Sequence, residues 1–200
     1  MRAKRPLHLP IVLTREEVRA VLSHLQGVEW MMASLLYGAG LRLLECCRLR
    51  VKDMDLAGKE IVVRDGKGGK DRVTLLPGKV VEPLRVHLEM VRNQHDRDLA
   101  NGAGSVELPW AIEHKYPRAS WEWGWQWIFP ATRFYVHPAT GRRRRHHLHE
   151  SVLQKAVREA VLRAGIAKPA TCHYVFSPAF IRLISARTVT IHERKNYEEQ

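Results

Sequence analysis

Leu36-Tyr37-Gly38-Ala39-Gly40-Leu41-Arg42-Leu43-Leu44-Glu45, followed later by Gly66-Lys67-Gly68-Gly69-Lys70-Asp71-Arg72, is the stretch on which the reading of this chain turns. The apolar run over 29–38 has helical character and stops at Gly38-Ala39-Gly40, so Arg42 opens a new helix expected over 42–49. Ile61-Val62-Val63-Arg64 and Val73-Thr74-Leu75-Leu76 are β-rich runs on either side of the glycine and lysine loop, which predicts a hairpin with Lys67 at its tip. One cation thus begins a helix and another, 25 positions later, rides a turn. Two such cations can grip a single phosphate from two sides.

Outward from this centre, Thr14-Arg15-Glu16-Glu17 has the spacing of a capping box, and Val18, Val21, Leu22 and Leu25 continue at helical period, predicting a helix over 15–26. Residues 79–98 repeat that pattern through Val80, Val81, Leu84, Leu88 and Val91, and 149–164 do so again before Gly165. Residues 101–131 break the rhythm. Gly102-Ala103-Gly104-Ser105 is a turn, and the tryptophans at 110, 121, 123, 125 and 127 give this segment the makings of a small core of its own. Arg142-Arg143-Arg144-Arg145-His146-His147 is the strongest charge run and is expected on a loop or strand pair facing solvent. Residues 1–13, with Pro6 and Pro10 among basic residues, read as an extended linker.

The bulk properties narrow the partner. In 200 residues, 33 Lys and Arg face 21 Asp and Glu, a formal charge of +12, while 45% hydrophobic content is ample for one folded domain. Such an excess of cations points to a polyanion, held through phosphate neutralisation and counterion release. Nucleic acid fits better than a membrane, because no apolar run approaches the ~18 residues of a spanning helix. No secretory signal is recognisable, and a cytoplasmic location is expected. Cys46, Cys47 and Cys172 lack metal or redox spacing and read as reduced structural thiols. No metal or cofactor is expected.

Taken singly, each candidate has an ordinary structural reading. Arg42 with Glu45 is an i,i+3 ion pair; the same pairing also holds the guanidinium rigid and leaves its remaining donors for a phosphate. Lys67 and Lys70 lie in a loop that lacks the spacing and the Ser or Thr of a nucleotide-binding loop, so solvated turn lysines are one reading and a groove-entering ammonium is the other. His173 alone reads as a buried, satisfied histidine.

Together these residues resemble the catalytic domain of the tyrosine recombinases of the phage integrase family, and more narrowly the integron integrases. The resemblance covers about residues 9–173. It is carried by Leu36 to Glu45, Gly66 to Arg72 and Ala170-Thr171-Cys172-His173, and most specifically by Ile112-Glu113-His114-Lys115-Tyr116-Pro117 with Trp123-Gly124-Trp125-Gln126 and Phe129-Pro130. It implies an α+β fold, mainly helical, with a small antiparallel hairpin or sheet. A basic linker would occupy 1–13, the catalytic domain 14–173 with an integron-type insertion over 101–131, and a divergent tail 174–200. It also implies site-specific DNA strand cleavage and rejoining through a phosphotyrosyl intermediate, without cofactor or metal. In that scheme Arg42, Lys67 and His173 are catalytic and Glu45 supports Arg42. Lys70, Arg72, Lys115, Trp123, Trp125 and Arg142 to Arg145 contact DNA, including folded single-stranded hairpin sites, and family members assemble as tetramers on DNA.

The motif continues in the family as His-x-x-Arg, whereas here His173-Tyr174-Val175-Phe176 places phenylalanine at the arginine's position. No Gly-His pair follows, and Tyr197 lies too near His173 to be the nucleophile. The sequence after His173 is that expected of a truncation or a change of reading frame, and the chain as written is expected to be catalytically incomplete. Three functions stay open: a recombinase domain, a non-catalytic DNA-binding remnant of one, and a basic RNA-binding protein.

Overall fold

Thr14 and Glu17 satisfy each other's amides, the Glu17 carboxylate accepting from the Thr14 N–H at 2.7 Å and the Thr14 hydroxyl from the Glu17 N–H at 3.2 Å. This capping box starts α1 (Arg15–Ser23). The computed structural model describes residues 13–66, 69–138, 140–168 and 172. Lys67 and His173 lie outside them, as do residues 1–12 and 173–200. α1 ends before the expected residue 26 because Gln26 is already extended as the cap of the next helix, with Gly27 at φ +53° at the junction.

α2 (Gly27–Gly38) buries Met31, Met32, Ala33, Leu35 and Leu36, five of six successive positions, which cannot lie on one face. It is therefore the central helix, packed by α1, α3 (Leu43–Cys47), α4 (Gly78–Ala100) and α6 (Glu150–Arg163). The main core joins these helices through Val21, Leu41, Cys46, Leu84, Leu153 and Val157. α3 stops short of the expected residue 49. Leu49 and Arg50 are drawn into extended pairing instead: the Leu49 carbonyl accepts from the Ile128 amide, and Arg50 bridges antiparallel to Trp127.

β1 (Met54–Asp55), β2 (Glu60–Val63) and β3 (Arg72–Leu75) form an antiparallel sheet in that order, with Ile61 opposite Thr74 and Val63 opposite Arg72. Ile61 and Val63 turn into the core while Val73 and Leu75 stay on the outer face. The hairpin is as expected from the sequence, with β1 as an added third strand. Between α4 and α6 run α5 (Trp110–Lys115), two short 3-10 turns, Ala119–Trp121 and Trp123–Trp125, and a second ribbon of β4 (Pro130–Val136) and β5 (Arg143–His147). A second apolar cluster, Val106, Leu108, Ala119 and Trp127 with Ile112 and Trp125 against it, lies in this part. The whole is an α+β fold, mainly helical, as the sequence led us to expect.

Candidate active site and nucleic-acid interface

The candidate phosphate site is built where the end of α2 meets β3. Gly40 at φ +65° lets the chain turn out of α2, and the Thr74 hydroxyl donates to the Ala39 carbonyl at 2.8 Å, fastening β3 along that turn. Residues 72 and 74 share one face of the strand, so Arg72 arrives beside α3. There the Glu45 carboxylate gathers four donors. The Arg42 amide donates to Oε2 at 2.8 Å and Arg42 Nη1 to Oε1 at 2.8 Å, while Arg72 Nη1 and Nη2 reach Oε1 and Oε2 at 3.0 and 2.6 Å.

Burial of the Glu45 carboxyl opposes its ionisation. The Arg72 hydrogen bonds, the Arg42 amide and the charge of Arg72 outweigh it, and the group is held below the usual carboxylate range. Glu45 keeps only 9% of its side chain exposed, whereas Arg42 keeps 41% and Arg72 36%. The carboxylate is thus an inner anchor and the guanidinium groups are its outward faces. Among the described residues Arg42 commits one side-chain nitrogen, Nη1, to Glu45, and the rest of its fork can meet an oxyanion in a fixed direction.

The hairpin end abuts this cluster. A Cβ at Gly66 would lie 2.9 Å from Arg72 Nη1 and 3.7 Å from Glu45 Oε1, and the Gly66 amide donates to the Lys70 carbonyl at 3.1 Å. The backbone entering Lys67 therefore stands beside Glu45 and Arg72. Lys70 is exposed on the same turn. Sequence reasoning placed Arg72 among the DNA contacts and missed its bidentate hold on Glu45, because no spacing rule links a helix start to a strand start.

In the tryptophan-rich segment the rings carry cations. Lys52 Nζ stands 3.1 Å from the centre of Trp125, the Arg92 guanidinium 5.1 Å from Trp123, and Arg142 5.2 Å from Trp121. Lys115 Nζ lies 5.3 Å from the ring of its neighbour Tyr116. Pro117, Arg118, Trp121 and Arg142 line an open cleft of about 460 Å³. Lys52 and Arg92 were not among the residues singled out from sequence; only the fold brings them onto these rings.

The arginine run departs from expectation. Arg142 and Arg143 are exposed, but Arg144 is 1% and Arg145 8% exposed. Arg144 pairs with Glu113, and Arg145 grips both Asp98 oxygens at 2.8 and 3.0 Å and the carbonyls of Ala131 and Thr132. These two tie β5 to α5 and α4 and are not surface DNA contacts. Alternation along a strand puts the neighbours Arg144 and Arg145 on opposite faces of β5, and both faces are covered here, one by Glu113 of α5 and the other by Asp98 of α4. The irregular register between Pro130 and Phe134 gives Arg145 two carbonyls to bind. Four successive arginines hide that alternation from a reading of charge.

Cys46, Cys47 and Cys172 are buried free thiols, and burial pushes Cys47 and Cys172 up to about 12. Among the described residues no group of three or more His, Cys, Asp or Glu could hold a metal, and no helix is long and apolar enough to cross a membrane.

The phage integrase family profile matches residues 12–185. A protein of Escherichia coli named integrase/recombinase is 44% identical over 177 residues, 87% of this chain and 52% of its own length. The tyrosine recombinase XerA of Thermococcus onnurineus (strain NA1) is 45% identical over 89 residues, 43% of this chain and 32% of that protein. The chain spans about half the length, or less, of these curated relatives. A crystal structure of XerA recombinase aligns over 100% of this chain and 62% of that one with a TM-score of 0.55 at 20% identity, a likeness of fold. On the extent of the profile match and the identity of these relatives, the chain belongs to the phage integrase family, with the fold of a tyrosine recombinase catalytic domain.

Proposed function

We propose that this chain is the catalytic portion of a site-specific DNA recombinase of the integron-integrase type, acting on DNA in the cytoplasm, and that as written it is catalytically incomplete. The observation that carries the reading is the Glu45 anchor, which holds Arg42 and Arg72 together beside the hairpin end. A phosphodiester resists attack until cations neutralise the charge that develops on its oxygens, and a rigidly held guanidinium does so without reorganising. Arg42 takes a non-bridging oxygen of the scissile phosphate. A tyrosine hydroxyl gives up its proton to a base and its oxygen attacks phosphorus, the bond to the 5′ oxygen breaks, Lys67 donates a proton to that oxygen, and the DNA 3′ end stays linked to tyrosine. His173 assists at the same phosphate. No cofactor or metal enters this scheme.

The segment over 101–131 is the integron-type insertion, and its substrates include folded single-stranded hairpins. Trp and Tyr rings with nearby cations suit unstacked bases, each stack being worth about 1–3 kcal/mol. Assembly is tetrameric on DNA.

The second reading, a DNA-binding protein without strand cleavage, is favoured by Phe176, which stands where the family motif carries an arginine. For the chain as written we expect DNA binding with steep salt dependence and no strand cleavage, and a change of reading frame after His173 accounts for the altered motif. Incubation with a nicked suicide duplex should leave no covalent product; a phenol-stable adduct through Tyr197 would contradict this. Sequencing the gene checks the frame, since a shifted reading should restore Leu-Arg-His after His173. Competition among duplex, hairpin DNA and RNA tests the substrate, and a preference for RNA would count against the recombinase reading.

A further inference from the structure

Arg50 occupies the joint between the helical body and the tryptophan-rich segment. Its Nη1 donates to the Trp125 carbonyl at 2.6 Å and its Nη2 to the Glu107 carbonyl at 2.7 Å, while its guanidinium carbon lies 3.8 Å from the centre of the Trp127 ring. The residue is 8% exposed. A planar fork stacked on an indole can meet two carbonyls at once in a way an ammonium cannot.

Three residues on, Asp53 is also buried and divides its carboxylate. Oδ2 accepts from the Arg50 amide at 3.3 Å and Oδ1 from Arg64 Nε at 2.7 Å. Arg64 leaves β2 at the root of the hairpin, with Nη1 3.5 Å from Asp71 Oδ2, and Asp71 Oδ1 accepts from the Asp65 amide at 3.0 Å. Asp71 precedes Arg72, which holds Glu45. Polar contacts thus run from the carbonyls of the segment to the hairpin end at the candidate phosphate site.

We propose that Arg50 and Asp53 are positioning residues that couple the docking of the 103–127 segment to the setting of the hairpin end beside Glu45. A buried carboxylate shared between two donors cannot keep both in place when one moves, so displacement of the Arg50 backbone is passed through Asp53 to Arg64. Arg64 is half exposed and bridges two acids, which makes the hairpin the yielding end of the chain of contacts. The consequence for catalysis, that DNA held by the segment adjusts the hairpin at Gly66, rests on the recombinase reading given above. The coupling itself does not, and it is measured without DNA.

The experiment is amide and arginine side-chain NMR on the full chain and on Asp53→Asn, Arg50→Lys and the double variant, a perturbation at one end being read at the other. Asp53→Asn keeps an oxygen for the Arg50 amide and removes the charge facing Arg64. It should unprotect the Arg64 Nε–H signal and speed exchange at Gly66 and Gly69 roughly five-fold, the scale of losing a partly exposed ion pair. Arg50→Lys touches no hairpin atom, yet the Gly66 and Gly69 signals should move in the same direction, with α1, α2 and α6 unchanged and no added effect in the double variant. Signals confined to 103–127 in Arg50→Lys, or exchange accelerated equally in every helix, would overturn the coupling. Should Arg50→Lys not fold, Asp53→Asn gives the converse reading: coupling is reciprocal, so the Trp125 and Trp127 amides must shift, and their silence overturns the proposal.

Discussion

Arg42 and Arg72, one opening a helix and the other a strand, both donate to the Glu45 carboxylate and share its Oε1. Glu45 is the residue that turns two separate cations into one surface. Replacing it by alanine leaves both guanidinium groups without their buried counter-charge, and we expect a loss of roughly 2 kcal/mol in urea unfolding. Wild-type stability across the Arg42→Ala and Glu45→Ala double cycle should show coupling between the two sites.

The same carboxylate sets an acid limit. Its folded pKa lies below the ordinary value near 4.5, so its contribution is complete above that value and is lost as pH falls through the lowered folded one. Unfolding curves of wild type should weaken below pH 4.5 more steeply than those of Glu45→Gln, which cannot titrate. Parallel curves would show that Glu45 is not held ionised by its arginines.

A second pH dependence lies higher. His87, His95 and His147 are buried and hydrogen-bonded to the carbonyls of Ile128, Trp121 and Leu148, and burial lowers all three despite those bonds. With folded values below the ordinary 6.5, the unfolded chain takes up protons first on acidification. Stability should therefore be full above about pH 6.5 and decline from there toward pH 5, with a shallower decline in His87→Gln, measured by urea midpoints.

Neighbouring arginines should behave as two classes. Arg145→Ala strands the buried Asp98 charge and should cost about 3–5 kcal/mol, and Arg144→Ala should be similarly harmful. Arg142→Ala and Arg143→Ala should leave stability within about 0.5 kcal/mol. In fluorescence-anisotropy titrations each should reduce the salt slope of DNA binding by about one.

Gly66→Ala tests the fit of the hairpin. Its methyl would fall 2.8 Å from the Lys70 carbonyl, a backbone atom that cannot rotate away. The turn must open, and we expect about 1–2 kcal/mol of destabilisation in urea unfolding. A crystal structure of the variant should show Arg72 withdrawn from Glu45.

Where structure follows from local rules, the sequence displayed it. The Thr14 capping box, the hairpin either side of Lys67 and the helix ended by Gly165 depend on residues a few positions apart, and each was legible. Arg42 and Glu45 were likewise legible as an i,i+3 pair. What was not legible required distant strands to meet. β4 was missed because its residues show no alternation of burial and the strand is defined by its pairing with β5. Arg72 on Glu45, Lys52 on Trp125 and the burial of Arg144 and Arg145 likewise depend on tertiary placement. Charge counting read the last two as surface because a guanidinium in an ion pair and one in water look the same in a sequence.

The most direct test of the phosphate site is made with DNA selected for binding from a random pool, in which backbone phosphates are replaced one at a time by neutral methylphosphonate. One position should exist whose neutralisation weakens the wild-type chain about tenfold, the scale of a charge-assisted hydrogen bond, and leaves Arg42→Ala unaffected. If Arg42→Ala instead loses affinity by the same factor on every analogue, Arg42 does not hold a single phosphate, and the reading of the Arg42, Glu45 and Arg72 cluster as the site of strand exchange is wrong.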